Sequence, residues 1–101
     1  RLFRVVWSTQ QVPGSFPAQA AFSVAKKGFR LAVTRNLLKR RMREAYRKNK
    51  HLLYDFLAGQ NRGMVFVVIY KENYVAEYRE IETAMKEIIE KLIVLTGENS
   101  K

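Results

Sequence analysis

From about Leu31 to about Leu53 the chain runs without a glycine break or a proline, and from Arg35 to Lys50 it reads RNLLKRRMREAYRKNK. No other stretch constrains the fold as much, because it has the propensity of a long helix and carries two unlike sides. At about 100° per residue, Arg35, Asn36, Lys39, Arg40, Arg43, Arg47 and Lys50 fall in one arc of roughly 140°. Leu38, Met42, Ala45 and Tyr46 fall in the adjoining arc of roughly 100°. Leu37, Arg41, Glu44 and Lys48 fill the remainder. Such a helix needs another element to seal its apolar arc, and it turns six cations and an amide outward.

Like charges stacked on neighbouring turns cost about a few tenths of a kcal/mol for each i, i+4 pair. A solvated face ordinarily interleaves glutamate with lysine to avoid that cost. Here only Glu44 does so, and it sits outside the basic arc. Phosphates would relieve the repulsion, and each one neutralised would also release counterions. Arginine outnumbers lysine in the stretch, and its planar fork suits bidentate phosphate contacts.

The whole chain shares this bias. Its 101 residues carry a net charge of +10. Residues 1–54 hold 13 Lys/Arg and one acid, whereas residues 55–101 hold 6 Lys/Arg and 8 acids. This segregation predicts one anion-binding face and one structural end. The length predicts a single domain over 1–101, and an apolar fraction of 48% allows it one small core. There is no cysteine, so disulfides and thiolate metal sites are excluded. The longest apolar run, Met64 to Tyr70, is too short to cross a bilayer, and no signal-peptide pattern opens the chain. The chain enters on a strand pattern at Arg1, and we expect it to lack its natural N-terminus.

Leu2 to Ser8 reads as a strand, with Phe3, Val5 and Trp7 on one face and Leu2, Arg4 and Val6 on the other. A turn is expected from Gln10 to Pro17, then a second strand from Ala18 to Ala25 with Phe22 and Val24 on one face. The short link predicts an antiparallel hairpin of these two. Gly28 breaks a basic connector before the long helix. Gly59 to Gly63 is expected as a loop and Met64 to Lys71 as a central strand. A last helix is expected from about Ala76 to Leu95, with Ile81, Met85, Ile88 and Leu92 as its stripe and Gly97 as its stop. The order strand, strand, helix, strand, helix predicts one layer of sheet covered by helices.

The residues around the basic helix resemble a family signature. The chain reads Ser23-Val24-Ala25-Lys26-Lys27, then Ala32-Val33-Thr34-Arg35-Asn36, then Lys39-Arg40-Arg41-Met42-Arg43-Glu44-Ala45-Tyr46-Arg47. This is similar to the bacterial ribonuclease P protein family, in detail from about Phe22 to Lys50 and more loosely to the Met64–Lys71 strand and the last helix. The resemblance implies an α+β fold, a two-layer α/β sandwich of a type shared with a ribosomal protein domain, with a left-handed β-α-β crossover. It implies a protein subunit without catalytic residues, whose partners are ribonuclease P RNA and precursor tRNA. The RNA, which requires Mg²⁺, would cleave the phosphodiester and so remove the 5′ leader. No cofactor, small-molecule substrate or membrane is implied, and the location expected is cytoplasmic.

Carried over position by position, Arg35, Asn36, Lys39, Arg40, Arg43 and Arg47 would contact the RNA subunit, with Lys26, Lys27 and Arg30 beside them. A cleft between the basic helix and the sheet would hold the single-stranded leader, lined by Arg4, Val6, Ala21, Ser23 and Tyr70. Three departures from the family pattern stand out. Leu37 replaces the third residue of an arginine-asparagine-arginine triplet, Arg30 replaces a glycine common before the helix, and the family's first helix and an early short strand are expected to belong to the N-terminal part lacking before Arg1.

Other chemistry finds little support. His51 is the only histidine, and the serines have no evident base. Glu80, Glu82, Glu87 and Glu90 share a helix with Lys86 and Lys91, the pattern of a solvated face. Phe3, Trp7, Phe22 and Phe66 are expected in the core, Tyr70 and Tyr74 near the surface, and Tyr46 packed with its hydroxyl reaching out. Two alternatives stay open at this point. One is a general or ribosomal RNA-binding protein. The other is a membrane-surface or acidic-protein binder, which requires the apolar arc of the helix to be free.

Overall fold

The computed structural model describes residues 2–10, 18–60 and 63–99. Its elements are β1 (Phe3–Gln10), β2 (Ala18–Val24), α1 (Ala32–Gln60), β3 (Gly63–Tyr70) and α2 (Tyr78–Asn99). The fold is α+β, with a mixed sheet ordered β1-β3-β2 among the described residues. β3 pairs antiparallel with β1 and parallel with β2.

The expected β1–β2 hairpin is therefore not formed. β3 lies between the two strands that are closest in sequence. The cause is its composition: GMVFVVIY is apolar on both sides, and such a strand gains most from the middle of a sheet. β1 and β2 alternate, and alternating strands lose least at an edge. Most of the turn expected between them lies outside the described residues, as do 61 and 62 of the expected Gly59–Gly63 loop.

Register sorts the sheet into two faces. Phe3 lies opposite Tyr70, Val5 opposite Val68, and Trp7 opposite Phe66. Phe22 lies opposite Val68, and Val24 opposite Tyr70. This face meets both helices. Leu38, Met42, Ala45, Leu53 and Leu57 of α1 are fully buried, together with Ile81, Met85 and Ile89 of α2 and Met64 and Val68 of β3. On the opposite face Val65, Val67 and Ile69 are half-buried and Val6 is 53% exposed.

Tyr70 departs from expectation. Its ring is 1% exposed, in edge contact with Phe3 at 6.1 Å and tilted against Phe29 at 5.9 Å. Its hydroxyl donates to the Tyr74 carbonyl and accepts from the Ala76 amide at 3.0 Å, so the segment leading to α2 wraps it. Tyr74 is partly exposed, as expected. Tyr46 sits between Phe22 and Phe66, at 5.6 and 5.7 Å. Its hydroxyl is enclosed rather than reaching out, and burial, with the Tyr54 hydroxyl beyond it, pushes that phenol up.

Both helices outrun their expected ends. α1 continues to Gln60 because Leu53 and Leu57 keep packing. A Cβ on Gly59 would meet nothing within 4 Å, so that glycine lies in the helix without a packing role. His51 is thus an exposed mid-helix residue. Gly97 lies inside α2, where a Cβ would stand 3.6 Å from the Phe56 ring. The buried stripe of α2 runs Ile81, Met85, Ile89, Leu92 and Thr96. Ile88 borders a groove of about 700 Å³ against Val5 and Trp7 instead.

Candidate nucleic-acid interface

The basic arc stands as the wheel places it. Leu38, Met42 and Ala45 are fully buried and Tyr46 nearly so, while Asn36, Arg40, Arg43 and Arg47 are exposed or half-exposed, as are Arg35 and Lys39. The apolar arc fixes how far the helix is rotated about its axis, and that rotation presents the cations. Lys26 and Lys27 occupy the turn after β2, closed by amide–carbonyl bonds from Gly28 to Ala25 at 3.3 Å and from Phe29 to Lys26 at 3.2 Å. Lys26, Lys27 and Arg30 are all exposed.

Two candidate arginines also serve the protein itself. Arg35 donates from Nη1 to the Phe29 carbonyl at 2.7 Å and to the Arg30 carbonyl at 3.3 Å. It thereby braces the approach to α1 and keeps donors to spare, since a guanidinium has five. Arg47 pairs with Glu44, the two side chains being 65% and 42% exposed. The contact holds the Glu44 carboxyl below its ordinary range and raises Arg47. Among the described residues, Lys26, Lys27, Arg30, Lys39, Arg40 and Arg43 form no ion pair with the protein. The first turn of α1 carries no acid, so its positive end is unopposed.

Sequence reasoning missed three features of this surface. Arg41, outside the basic arc, donates to the Ala76 carbonyl at 2.6 Å and ties α1 to the segment before α2. Lys48 lies over the Tyr78 ring at 5.2 Å, and Lys50 over the Tyr54 ring at 5.3 Å. The i, i+4 spacing of Lys50 and Tyr54 was a legible signal. The other two contacts join residues far apart in sequence and left none.

Among the described residues, core side chains fill the space between α1 and the sheet where the cleft was expected. Arg4, Val6, Ala21 and Ser23 do share a surface, but it is the sheet's opposite face. Register sets Val6, Val67 and Ala21 in one row and Arg4, Ile69 and Ser23 in the next. Tyr70 is not on it; it belongs to the core face. Val67 and Ile69 are additions that required knowing β3 to be central.

Among the described residues no group of three or more His, Cys, Asp or Glu could hold a metal ion. Among those residues, no helix is long and apolar enough to cross a membrane.

Fold and surface together define a protein of α+β architecture in which one helix turns an exposed cationic side outward. A match to the family described as Ribonuclease P covers residues 1–93, and the chain belongs to that family. It is 45% identical over 64 residues to proteins named "Ribonuclease P protein component" in two strains of Porphyromonas gingivalis, a match covering 63% of this chain and 47% of each relative. The match thus spans about half the length of those curated relatives. No solved structure matches the chain.

Proposed function

We propose that this chain is the protein subunit of ribonuclease P, which binds the catalytic RNA through the exposed side of α1 and assists removal of the 5′ leader from precursor tRNA. The observation that carries this reading is the exposed cationic arc of α1, largely unneutralised by the protein, in a member of this family. Arg40 and Arg43 contact phosphates, with Lys39, Asn36, Arg35 and Arg47 along the same side and Lys26, Lys27 and Arg30 at its N-terminal end. The open sheet face bearing Arg4, Val6, Ala21 and Ser23 receives the leader, with Val67 and Ile69 as its apolar floor. The RNA, with its Mg²⁺, supplies the phosphodiester cleavage, and this chain binds and orients. The family resemblance also favours a left-handed β2–α1–β3 connection, rare among such crossovers, within a single two-layer domain that works in the cytoplasm.

A membrane-surface or acidic-protein binder would need Leu38, Met42 and Ala45 free, and they are buried. A general RNA-binding protein is the second reading, favoured by nothing specific on this surface. The assay that separates the two uses full-length protein and its cognate RNA. Addition of protein should stimulate cleavage of precursor tRNA at low Mg²⁺, and the complex should prefer precursor over mature tRNA. A rate unchanged at every Mg²⁺ level would overturn the proposal. Arg40→Ala and Arg43→Ala should each weaken RNA binding and lower the slope of log affinity against log salt by about 0.7 to 0.9 for each phosphate left without its cation.

A further inference from the structure

Leu31 and Val33 are the most exposed large apolar residues described, at 67% and 74%. They lie beside the N-terminal end of the cationic arc. On the helical wheel Val33 falls about 20° beyond Arg40, and Leu37 follows it one turn on. Lys26, Lys27 and Arg30 precede them, and the chain contains no acid before Glu44.

Their backbone is held in place. Phe29, two residues before Leu31, is buried against Tyr70, and Arg35 grips the carbonyls of Phe29 and Arg30. The Leu31 carbonyl accepts from the amides of Thr34 at 3.2 Å and Arg35 at 3.3 Å. Two aliphatic side chains therefore project into solvent from a braced turn, where they cannot fold back into the core. An apolar group fixed in this way loses little freedom on binding.

We propose that Leu31 and Val33 form an apolar seat for an unpaired nucleobase of the RNA held by α1; this rests on the reading of α1 above. The surroundings are cationic, so the occupant must join apolar surface to negative charge. A nucleotide does both: its base face packs on the aliphatic side chains while its phosphates meet the neighbouring cations. Because every base has an apolar face, the seat adds affinity with little sequence preference.

The test uses full-length protein and a transcript of the cognate ribonuclease P RNA. Leu31→Ser combined with Val33→Ser should weaken binding about tenfold. The salt slope should stay unchanged, because no cation is removed. Base-specific chemical probing of the RNA should show an unpaired base that the parent protects and the double variant exposes. The thermal midpoint should not move, both residues being exposed. Arg40→Ala serves as the reference and should lower the slope. If the double variant binds like the parent while Arg40→Ala weakens binding, the seat is refuted and the RNA reading of α1 survives. If the double variant flattens the slope, the segment meets phosphate rather than a base, and the seat is again refuted. If it leaves RNA binding intact but abolishes a self-association seen by sedimentation, the patch serves protein and the inference is overturned. If neither variant weakens RNA binding, the reading of α1 falls and the seat with it.

Discussion

Glu44 is the one acid among the first 54 residues, and it occupies Arg47, a cation of the arc. Glu44→Gln should release that guanidinium. In a salt titration of RNA binding, affinity should rise a few-fold and the slope steepen by up to about 0.9. The carboxyl is held below its ordinary range chiefly by the hydrogen bond from Arg47. The pair is therefore intact above the ordinary glutamate range and is lost only as pH falls through the lowered value. Tyr70 shows the opposite economy, a polar atom committed inside. Its hydroxyl serves Tyr74 and Ala76 at once, and burial raises its phenol. Tyr70→Phe leaves the ring packing and orphans a buried amide, so urea denaturation should show a loss of about 1–3 kcal/mol. Tyr74 donates to Glu80, and that bond chiefly pushes its phenol up to about 12. Its contribution is complete below the ordinary tyrosine value and fades as pH climbs through the raised one.

At the scale of elements, α1 is held by one side and works by the next. Leu38→Ala, at a fully buried position, should cost about 2–5 kcal/mol in urea denaturation and leave the salt dependence of RNA binding unchanged. The paired isoleucines of α2 separate core from groove. Ile89→Ala should cost about as much as Leu38→Ala, whereas Ile88→Ala, half-buried at the groove beside Val5 and Trp7, should cost clearly less. Periodicity identified both helices, and for α1 it gave the buried positions as well. It missed by one residue in α2, because Ile88 and Ile89 are equally apolar and adjacent. Which of them meets the core depends on how the helix is rotated against its neighbours. Helix ends were illegible for a related reason: Gly59 and Gly97 look like stops locally, yet packing beyond and around them carries the helices on.

At the scale of the molecule, the sheet cannot exist before its last strand. β1 and β2 do not pair with each other, and both depend on β3. A fragment of residues 1–60 should therefore show helical circular dichroism without a cooperative thermal transition, whereas the chain through Asn99 should unfold in one step. A cooperative transition in the fragment would mean that β1 and β2 find a pairing absent from the whole. The charge division survives folding: most cations of α1 gather on one exposed side while the mixed charges of α2 stay on another helix.

Taken alone, the order of residues determined the two helices, the strand segments, the sealed side of α1 and its cationic neighbour. These follow from spacing along a single element, where side-chain direction is set by local geometry. Only the tertiary structure decided strand order, the burial of Tyr70 and the enclosure of the Tyr46 hydroxyl. It also decided which sheet face lies open and which bears the helices. Those depend on which strand gains most from the centre and which face the helices choose, and both are settled by burial summed over the whole molecule.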